Sequence, residues 1–213
     1  LITTLCSVVI GYLIAYAMVH LVGRERNWML TLVLISFWVS VLVRAFSWLT
    51  LLGRNGLVNA ALVGSGLAEE PISMIRNEFG VLIGMVHYMV PYAVLPLLAN
   101  MQGIDHRVMD ASRSLGAGPL LTFVRIYLPL TKPGVIAASL LVFIISLGFY
   151  VTPALLGGGR VLMVAEYVSV QILITVQWGV AAMLATLLLS GVLALLYIMS
   201  RFMNIGEVFG ARA

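Results

Sequence analysis

Charge is scarce in this chain. Only 9% of its 213 residues are Asp, Glu, Lys or Arg, whereas 62% are hydrophobic. Soluble domains carry roughly 25% charged residues, so the composition excludes an ordinary soluble enzyme or binding domain. Several apolar runs reach the roughly 20 residues that a helix needs to cross about 30 Å of hydrocarbon. We therefore expect an integral membrane protein.

Cysteine and histidine are scarce too. Cys6 is the single cysteine, so an internal disulfide cannot form, and its apolar surroundings indicate a small buried side chain. His20, His87 and His106 have no second ligand three or four residues away, which argues against a metal site. The glycine run at 157–160 lacks the Lys-Ser or Lys-Thr ending of a nucleotide loop and indicates a flexible outer loop. The apolar runs hold no paired acids and no nucleophile with a base, which argues against an intramembrane enzyme.

The apolar runs predict a fold made only of α-helices. They are apolar on nearly every side, whereas barrel strands alternate apolar and polar residues. We expect five spans, at roughly residues 1–22, 30–52, 79–102, 135–153 and 179–201. Residue 1 is Leu, and neither a starting Met nor a basic segment precedes the first run. We therefore expect that a first span is missing and that the chain begins partway into a longer protein.

Basic residues in the loops predict the orientation of the spans. Eight of them lie in the 23–29 turn, the 103–134 segment and the tail from 201: Arg24, Arg26, Arg107, Arg113, Arg125, Lys132, Arg201 and Arg212. The opposite loops, 53–78 and 154–178, hold Arg54, Arg76 and Arg160. The positive-inside rule places the first set in the cytoplasm. Spread among loops and not interleaved with aromatics, these charges argue against nucleic-acid binding.

The 103–134 segment is the longest predicted cytoplasmic loop, and it is rich in helix start and stop residues. Asp105 can cap a first helix that ends at Gly116, and Pro119 can begin a second that stops near Pro129. Pro133 would then open the next span. A short amphipathic helix can simply lie on lipid. Glycines and prolines on both sides instead favour a fixed element that projects and docks into a partner.

This segment resembles the signature loop of the permease subunits of binding-protein-dependent ABC importers. That pattern runs E-A-A, three residues, G, and later L-P-L-x-x-P-G. The matching residues here are Asp110, Ala111, Ser112, Gly116, Ala117, Phe123, Ile126, Leu128, Pro129, Leu130, Pro133 and Gly134. Asp replaces Glu at 110 and Ser replaces Ala at 112, which keeps the charge and the small volume.

Three further stretches resemble the spermidine/putrescine branch of that family: "FWVSVLVRAFSWLTLLGRNGLVN", "NEFGVLIGMVHYMVPYAVLPLLANMQGID" and "LGFYVTPALLGG". The resemblance implies a type I importer permease in the bacterial inner membrane, a single domain over 1–213 with six spans. It also implies a second permease subunit, two ATPase subunits and an extracytoplasmic solute-binding protein. The 103–134 loop would seat in a cleft on the ATPase. This chain would bind no cofactor, and ATP and magnesium would bind to the ATPases.

Candidate pathway residues are the polar and aromatic side chains of the predicted spans and outer loops. They are Arg44, Trp48, Tyr88, Tyr92, Tyr150 and Glu166. Arg44 is the single charge placed well inside a span, so it either lines the pathway or bends its side chain toward the interface. Ser139 and Ser146 more often let neighbouring helices approach closely.

The residues leave the substrate open. The resemblance implies a polyamine, and a cation favours carboxylates and aromatic faces. The predicted spans hold no acid, however, while Arg44 is basic, so an anionic or zwitterionic solute such as an amino-acid derivative, opine or phosphonate is the alternative. A channel is a further alternative, but a passive pore needs no seat for an ATPase. Because the chain has no nucleotide loop, its energy must come from separate subunits.

Overall fold

The computed structural model describes residues 1–202, apart from the side chains of His106, Ser200 and Phe202. The regular structure of these residues is entirely helical. The elements are α1 (Ile2–His20), α2 (Arg24–Trp38), α3 (Val41–Leu52), α4 (Leu57–Gly64), α5 (Glu78–Gln102), α6 (His106–Ser114), α7 (Pro119–Thr122), a π-helix (Phe123–Tyr127), α8 (Leu128–Leu147), α9 (Val151–Gly157), α10 (Val164–Leu173) and α11 (Trp178–Phe202). Arg212, one of the eight basic residues of the predicted cytoplasmic set, lies outside the described residues.

Four helical segments are long and apolar enough to cross a membrane, and one bent pair of helices makes a fifth. The predicted spans at 1–22, 79–102 and 179–201 are confirmed as α1, α5 and α11. Each of these three runs forms one unbroken helix. Their apolar length therefore sufficed to predict them.

The prediction of one continuous span at 30–52 is wrong. The chain leaves the helical conformation at Val39 and resumes at Val41, and the two arms meet at 98°. Ser40 takes the N-cap position of α3, although its side chain makes no capping hydrogen bond. The break contains neither proline nor glycine, the residues that usually indicate a break in a helix. Arg44 accordingly lies in the second turn after a bend and not deep inside a straight span.

The prediction of a span at 135–153 is wrong at both ends. One continuous helical segment runs from Pro119 to Leu147 and includes a π-helical turn. The second short helix therefore does not stop near Pro129, and Pro133 does not open a span. Pro129 lies inside this segment, directly after the π-helical turn, where the shifted backbone hydrogen bonding lets the helix continue past a residue that has no N–H.

The core is built around α5, which packs against α1 and α8. Glycines and small residues bring these helices close together. A Cβ atom added at Gly11 would lie 2.8 Å from the Ala93 Cβ, and one added at Gly134 would lie 2.6 Å from the Asn100 Cβ. Such close approach of backbones is typical of helix packing in membranes. By contrast, only 6% of the α11 span is buried in this chain, so most of that helix remains available to lipid or to another subunit.

Candidate functional site

The coupling segment begins with the predicted cap. The Asp105 carboxylate accepts a hydrogen bond of 2.9 Å from the backbone N–H of Arg107, which confirms Asp105 as the N-cap of α6. Met109 on this helix is buried against the rest of the chain, whereas Asp110 and Ala111 are exposed. The Asp110 carboxylate makes an exposed ion pair with Arg113, at 3.6 Å. The acidic position of the signature therefore faces outward and is free to meet a partner.

The end of α6 is a glycine stop. The helix ends at Ser114, and Gly116 takes a φ of +83°, which confirms the predicted turn two residues later. The Gly116 N–H donates to the Arg113 carbonyl at 2.9 Å, and the Ala117 N–H donates to the Ser112 carbonyl at 3.1 Å. This pair of bonds is the Schellman arrangement, which fixes the direction in which the chain leaves a helix.

The other signature residues pack within this chain. The buried Ser112 hydroxyl shares a 2.9 Å hydrogen bond with the buried Thr122 hydroxyl, which ties α6 to α7. Phe123 is half-buried and meets the Tyr16 ring edge to face, with centroids 5.6 Å apart. Gly134 is buried against Asn100 of α5. The signature residues thus divide into an exposed set on α6 and a packed set that joins α6 to the membrane core.

A second polar site lies where α2 breaks. The Arg44 guanidinium donates through one nitrogen, Nη2, to the Ser36 carbonyl at 2.6 Å and to the Val39 carbonyl at 2.8 Å. Because the break leaves the last carbonyls of α2 without helical partners, Arg44 replaces part of the missing hydrogen bonding. The negative end of the helix dipole stabilises the same positive charge.

Four aromatic rings form a cluster beside this guanidinium, with Tyr88 as the ring that faces it, and we name the cluster the aromatic cage: Phe37, Tyr88, Tyr92 and Phe149. The Arg44 guanidinium carbon lies 4.5 Å from the centroid of the Tyr88 ring, within range of a cation–π interaction. Tyr88 stacks on Tyr92 at 5.7 Å and lies 4.4 Å from Phe149. Phe37 meets Tyr92 edge to face at 4.9 Å. The cage therefore draws on α2, α5 and the turn after α8.

A tryptophan and a histidine form a further contact between α3 and α5. The Trp48 indole N–H donates to Nδ1 of His87 at 3.0 Å, and the two rings are 5.6 Å apart. This bond requires an unprotonated Nδ1, so the proton of a neutral His87 is on Nε2. Sequence reasoning had selected Trp48 but not His87, because a lone histidine in an apolar run carries no signal of its own.

The structure brings together some of the predicted pathway residues and not others. Arg44, Tyr88 and Tyr92 lie in one cluster. Tyr150 is 47% exposed at the start of α9, and within residues 1–202 no ring contact or hydrogen bond joins it to the aromatic cage. Its neighbour Phe149 occupies the cage instead. Tyr150 was expected inside a span at 135–153, whereas α8 ends at Leu147.

Glu166 also lies outside this cluster. It is buried in the first turn of α10, with 5% of its surface exposed, and its Oε2 atom has no hydrogen-bond partner among the described residues. Burial raises the pKa of the Glu166 carboxyl, and a backbone contact with Met163 opposes this shift. No described hydrogen bond or ring contact joins Glu166 to the aromatic cage.

Comparison with known proteins settles the family. Residues 7–204 match the family described as the binding-protein-dependent transport system inner membrane component. The chain belongs to this family. The permease is 34% identical over 198 residues to the spermidine/putrescine transport system permease protein PotB of Haemophilus influenzae, a match that covers 92% of the permease and 69% of that relative. Its identity to the Escherichia coli protein of the same name is 33% over 199 residues, with 92% and 72% covered.

A solved structure with the same fold is a bacterial alginate ABC transporter in complex with its alginate-bound periplasmic protein. The likeness has a TM-score of 0.66 and covers 92% of the permease and 74% of that chain. At 16% identity it shows the fold alone. Family and fold together establish the permease as a non-catalytic membrane subunit of an ABC importer and a multi-pass protein of the inner membrane.

Proposed function

We propose that the permease forms one half of the translocation pathway of a polyamine importer. The observation that carries this proposal is its 34% and 33% identity to two permeases named for spermidine and putrescine transport. The other half of the pathway is a second permease subunit. An extracytoplasmic solute-binding protein delivers the substrate, and two ATPase subunits bind ATP and magnesium and drive the cycle.

The aromatic cage supports a cationic substrate. Beside it lie the backbone carbonyls of Ser36 and Val39 at a helix C-terminus, and both aromatic faces and carbonyls attract positive charge. Arg44, which had favoured an anionic solute, already directs its Nη2 nitrogen at the Ser36 and Val39 carbonyls. The groups around Arg44 are thus the groups that bind cations. We place Arg44, Trp48, Tyr88 and Tyr92 along the pathway on this basis.

We further propose that the ATPase binds the exposed face of α6 and the Gly116 turn. Asp110 and Ala111 are exposed there and lie between a capped start and a fixed stop of the helix. The supporting residues Phe123, Pro129, Pro133 and Gly134 carry displacement of α6 into α8, because they all lie in one continuous helical segment that begins at Pro119. The docking loop is then shorter than 103–134, because its second half is helix.

Transport by the assembled complex tests the proposed substrate. The permease is co-expressed with its partner permease, ATPase and binding protein and is reconstituted in proteoliposomes. We expect uptake of radiolabelled spermidine or putrescine that requires ATP and the binding protein and that excess unlabelled polyamine abolishes. A complex that imports a carboxylate or phosphonate solute and no polyamine would reject the proposed substrate while leaving the permease class intact.

Cysteine labelling tests the proposed orientation. Ser65 and Ser114 are both exposed and lie in opposite loops. In a Cys6→Ala background, we expect an impermeant thiol reagent to label Ser65→Cys in sealed cells and Ser114→Cys only after the cells are opened. Labelling of Ser114→Cys in sealed cells would show that the orientation is opposite to the one proposed.

A further inference from the structure

The aromatic cage has the features of a binding site for an alkylammonium ion, but the chain's own cation fills it. One face of Tyr88 and two carbonyls, of Ser36 and Val39, converge on the Arg44 guanidinium. A primary ammonium group has three N–H donors and a compact positive charge, so the same ring and the same carbonyls satisfy it. Two cations cannot share the site, because like charges a few ångströms apart repel each other strongly.

We propose that Arg44 is a built-in competitor of the substrate: its guanidinium occupies the aromatic cage at rest and must leave before an ammonium group of the substrate can enter. This inference rests on the proposed transport of polyamines. It assigns to Arg44 a role in specificity that neither a pathway ligand nor an interface anchor would have.

Tethering gives Arg44 its advantage over a free substrate. A group attached to the site by its own side chain acts at an effective concentration of about millimolar or more, so free polyamine at lower concentration does not displace it. The binding protein, by releasing its substrate directly above the site, raises the local concentration enough to compete. The cage is thereby closed to cations that arrive without the binding protein.

The hydrogen bonds of the guanidinium indicate that it is held but not locked. Both short bonds use the single nitrogen Nη2, while the buried Nε–H has no hydrogen-bond partner among the described residues. A guanidinium carries five donors and usually binds as a planar fork through two nitrogens. The arrangement at the break falls short of that fork, which favours exchange of Arg44 for another cation.

Equilibrium binding to the assembled complex without its binding protein tests the inference. Radiolabelled spermidine is titrated against complexes in nanodiscs that carry the wild-type chain, Arg44→Lys or Arg44→Gln. Glutamine keeps an N–H donor for the carbonyls of the break and removes the charge. We expect Arg44→Gln to bind spermidine about tenfold more tightly than the wild type, the change expected when a cation–π site becomes vacant. Lysine keeps the charge, and its ammonium group satisfies the same ring and carbonyls, so we expect Arg44→Lys to bind spermidine as weakly as the wild type does.

Two controls assign the gain to the cage. Methylguanidinium added to the Arg44→Gln complex should refill the site and compete with spermidine. The double variant Arg44→Gln with Tyr88→Leu should lose the gain, because leucine removes the aromatic face. A gain that survives both treatments would reflect the loss of a nearby positive charge alone and would overturn the proposal.

Uptake by the wild-type complex separates the inference from the function on which it rests. If the wild type imports no polyamine, the proposed substrate is wrong and the competitor role falls with it. If the wild type imports spermidine and Arg44→Gln binds it no more tightly, the competitor role alone is wrong. If Arg44→Gln does not assemble, Arg44→Met takes its place, because it also removes the competing charge; spermidine binding by Arg44→Met equal to that of the wild type would reject the proposal.

Discussion

The turn after α6 and the break between α2 and α3 both interrupt a helix, but different forces hold them. The turn after α6 is built from its own backbone, since Gly116 takes the positive φ and the Schellman bonds close within the same turn. The break at Val39 has no such residue, and the Arg44 side chain from the next helix satisfies its carbonyls. A turn held by its backbone is fixed, whereas one held by a single charged side chain can change when that side chain moves. The turn after α6 is thus suited to transmit a displacement as a rigid unit, and the break between α2 and α3 is suited to change its angle.

Substitution of Gly116, which forms the rigid turn after α6, should have the largest effect on uptake. A β-branched residue at a φ of +83° carries strain of roughly 1–2 kcal/mol, so Gly116→Val should reopen the turn and redirect α7. We expect ATP-dependent uptake to fall about tenfold or more, the factor that such an energy represents. Membrane insertion should be unchanged, and the rate of ATP hydrolysis should no longer depend on whether substrate is present.

Gly118→Val is the matched control, because Gly118 lies two residues away with a φ of −67° and no atom within 4 Å of an added Cβ. Residues before proline favour the extended region, which valine also adopts readily. Equal loss of uptake in both variants would show that the loop tolerates no bulk at all. The argument from backbone conformation at Gly116 would then be wrong.

The last glycine of the signature tests whether the support belongs to the membrane core. A Cβ at Gly134 would lie 2.6 Å from the Asn100 Cβ, so Gly134→Ala should push α8 away from α5 and lower the free energy of unfolding by about 1–3 kcal/mol. Thermal unfolding in detergent measures this loss. Gly191→Ala is the control, because nothing lies within 4 Å of a Cβ added there. A Gly134→Ala variant of normal stability that lost only ATPase coupling would move Gly134 from the core to the docking surface.

How much the sequence could predict follows the same division. Apolar length predicted α1, α5 and α11, and local capping chemistry predicted both ends of α6. At the break at Val39, the partners of Arg44 are only five and eight residues away, but the contact exists only in the bent chain, and this window contains no proline or glycine to indicate a bend. Pro129 was interpreted as a helix stop, but the helix continues through it after a π-helical turn. Whether a proline ends a helix depends on the hydrogen bonding of the turn before it, which the residue types alone do not show.

The cage shows a similar limit. Tyr88 and Tyr92 were selected as aromatic side chains of a predicted span, and their spacing of one helical turn on α5 brings the two rings together. Phe37 and Phe149 join them from other segments, which only the tertiary fold determines. His87 was not selected as a pathway residue, because the feature that distinguishes it is a hydrogen bond from Trp48, which only the tertiary fold brings about.

If Arg44 holds the break between α2 and α3, replacing it should change the distances between these two helices. Spin labels at Thr31→Cys in α2 and Thr50→Cys in α3, both exposed, report the bend between these helices in a Cys6→Ala background. We expect a single narrow distance distribution in the wild type. Arg44→Gln should broaden it, because the carbonyls of Ser36 and Val39 lose a charged donor worth roughly 1.5–3 kcal/mol. A distribution as narrow as that of the wild type would show that packing, and not Arg44, holds the bend.

The smallest expected effect comes from the cap of α6. Asp105→Ala removes the acceptor of the Arg107 N–H and should destabilise α6 by about 1 kcal/mol, whereas Asp105→Asn keeps an oxygen acceptor and should be nearly neutral. Because the Gly116 turn and the Ser112–Thr122 hydrogen bond hold the other end, we expect α6 to fray only at its start. Hydrogen exchange at the first amides of α6 should accelerate about fivefold in Asp105→Ala, which corresponds to that energy. Uptake should change by less than about twofold, since the rigid end adjoins the docking surface. A loss of uptake as large as that of Gly116→Val would show that the start of α6 contacts the ATPase directly, so that both ends, and not the glycine turn alone, set the coupling.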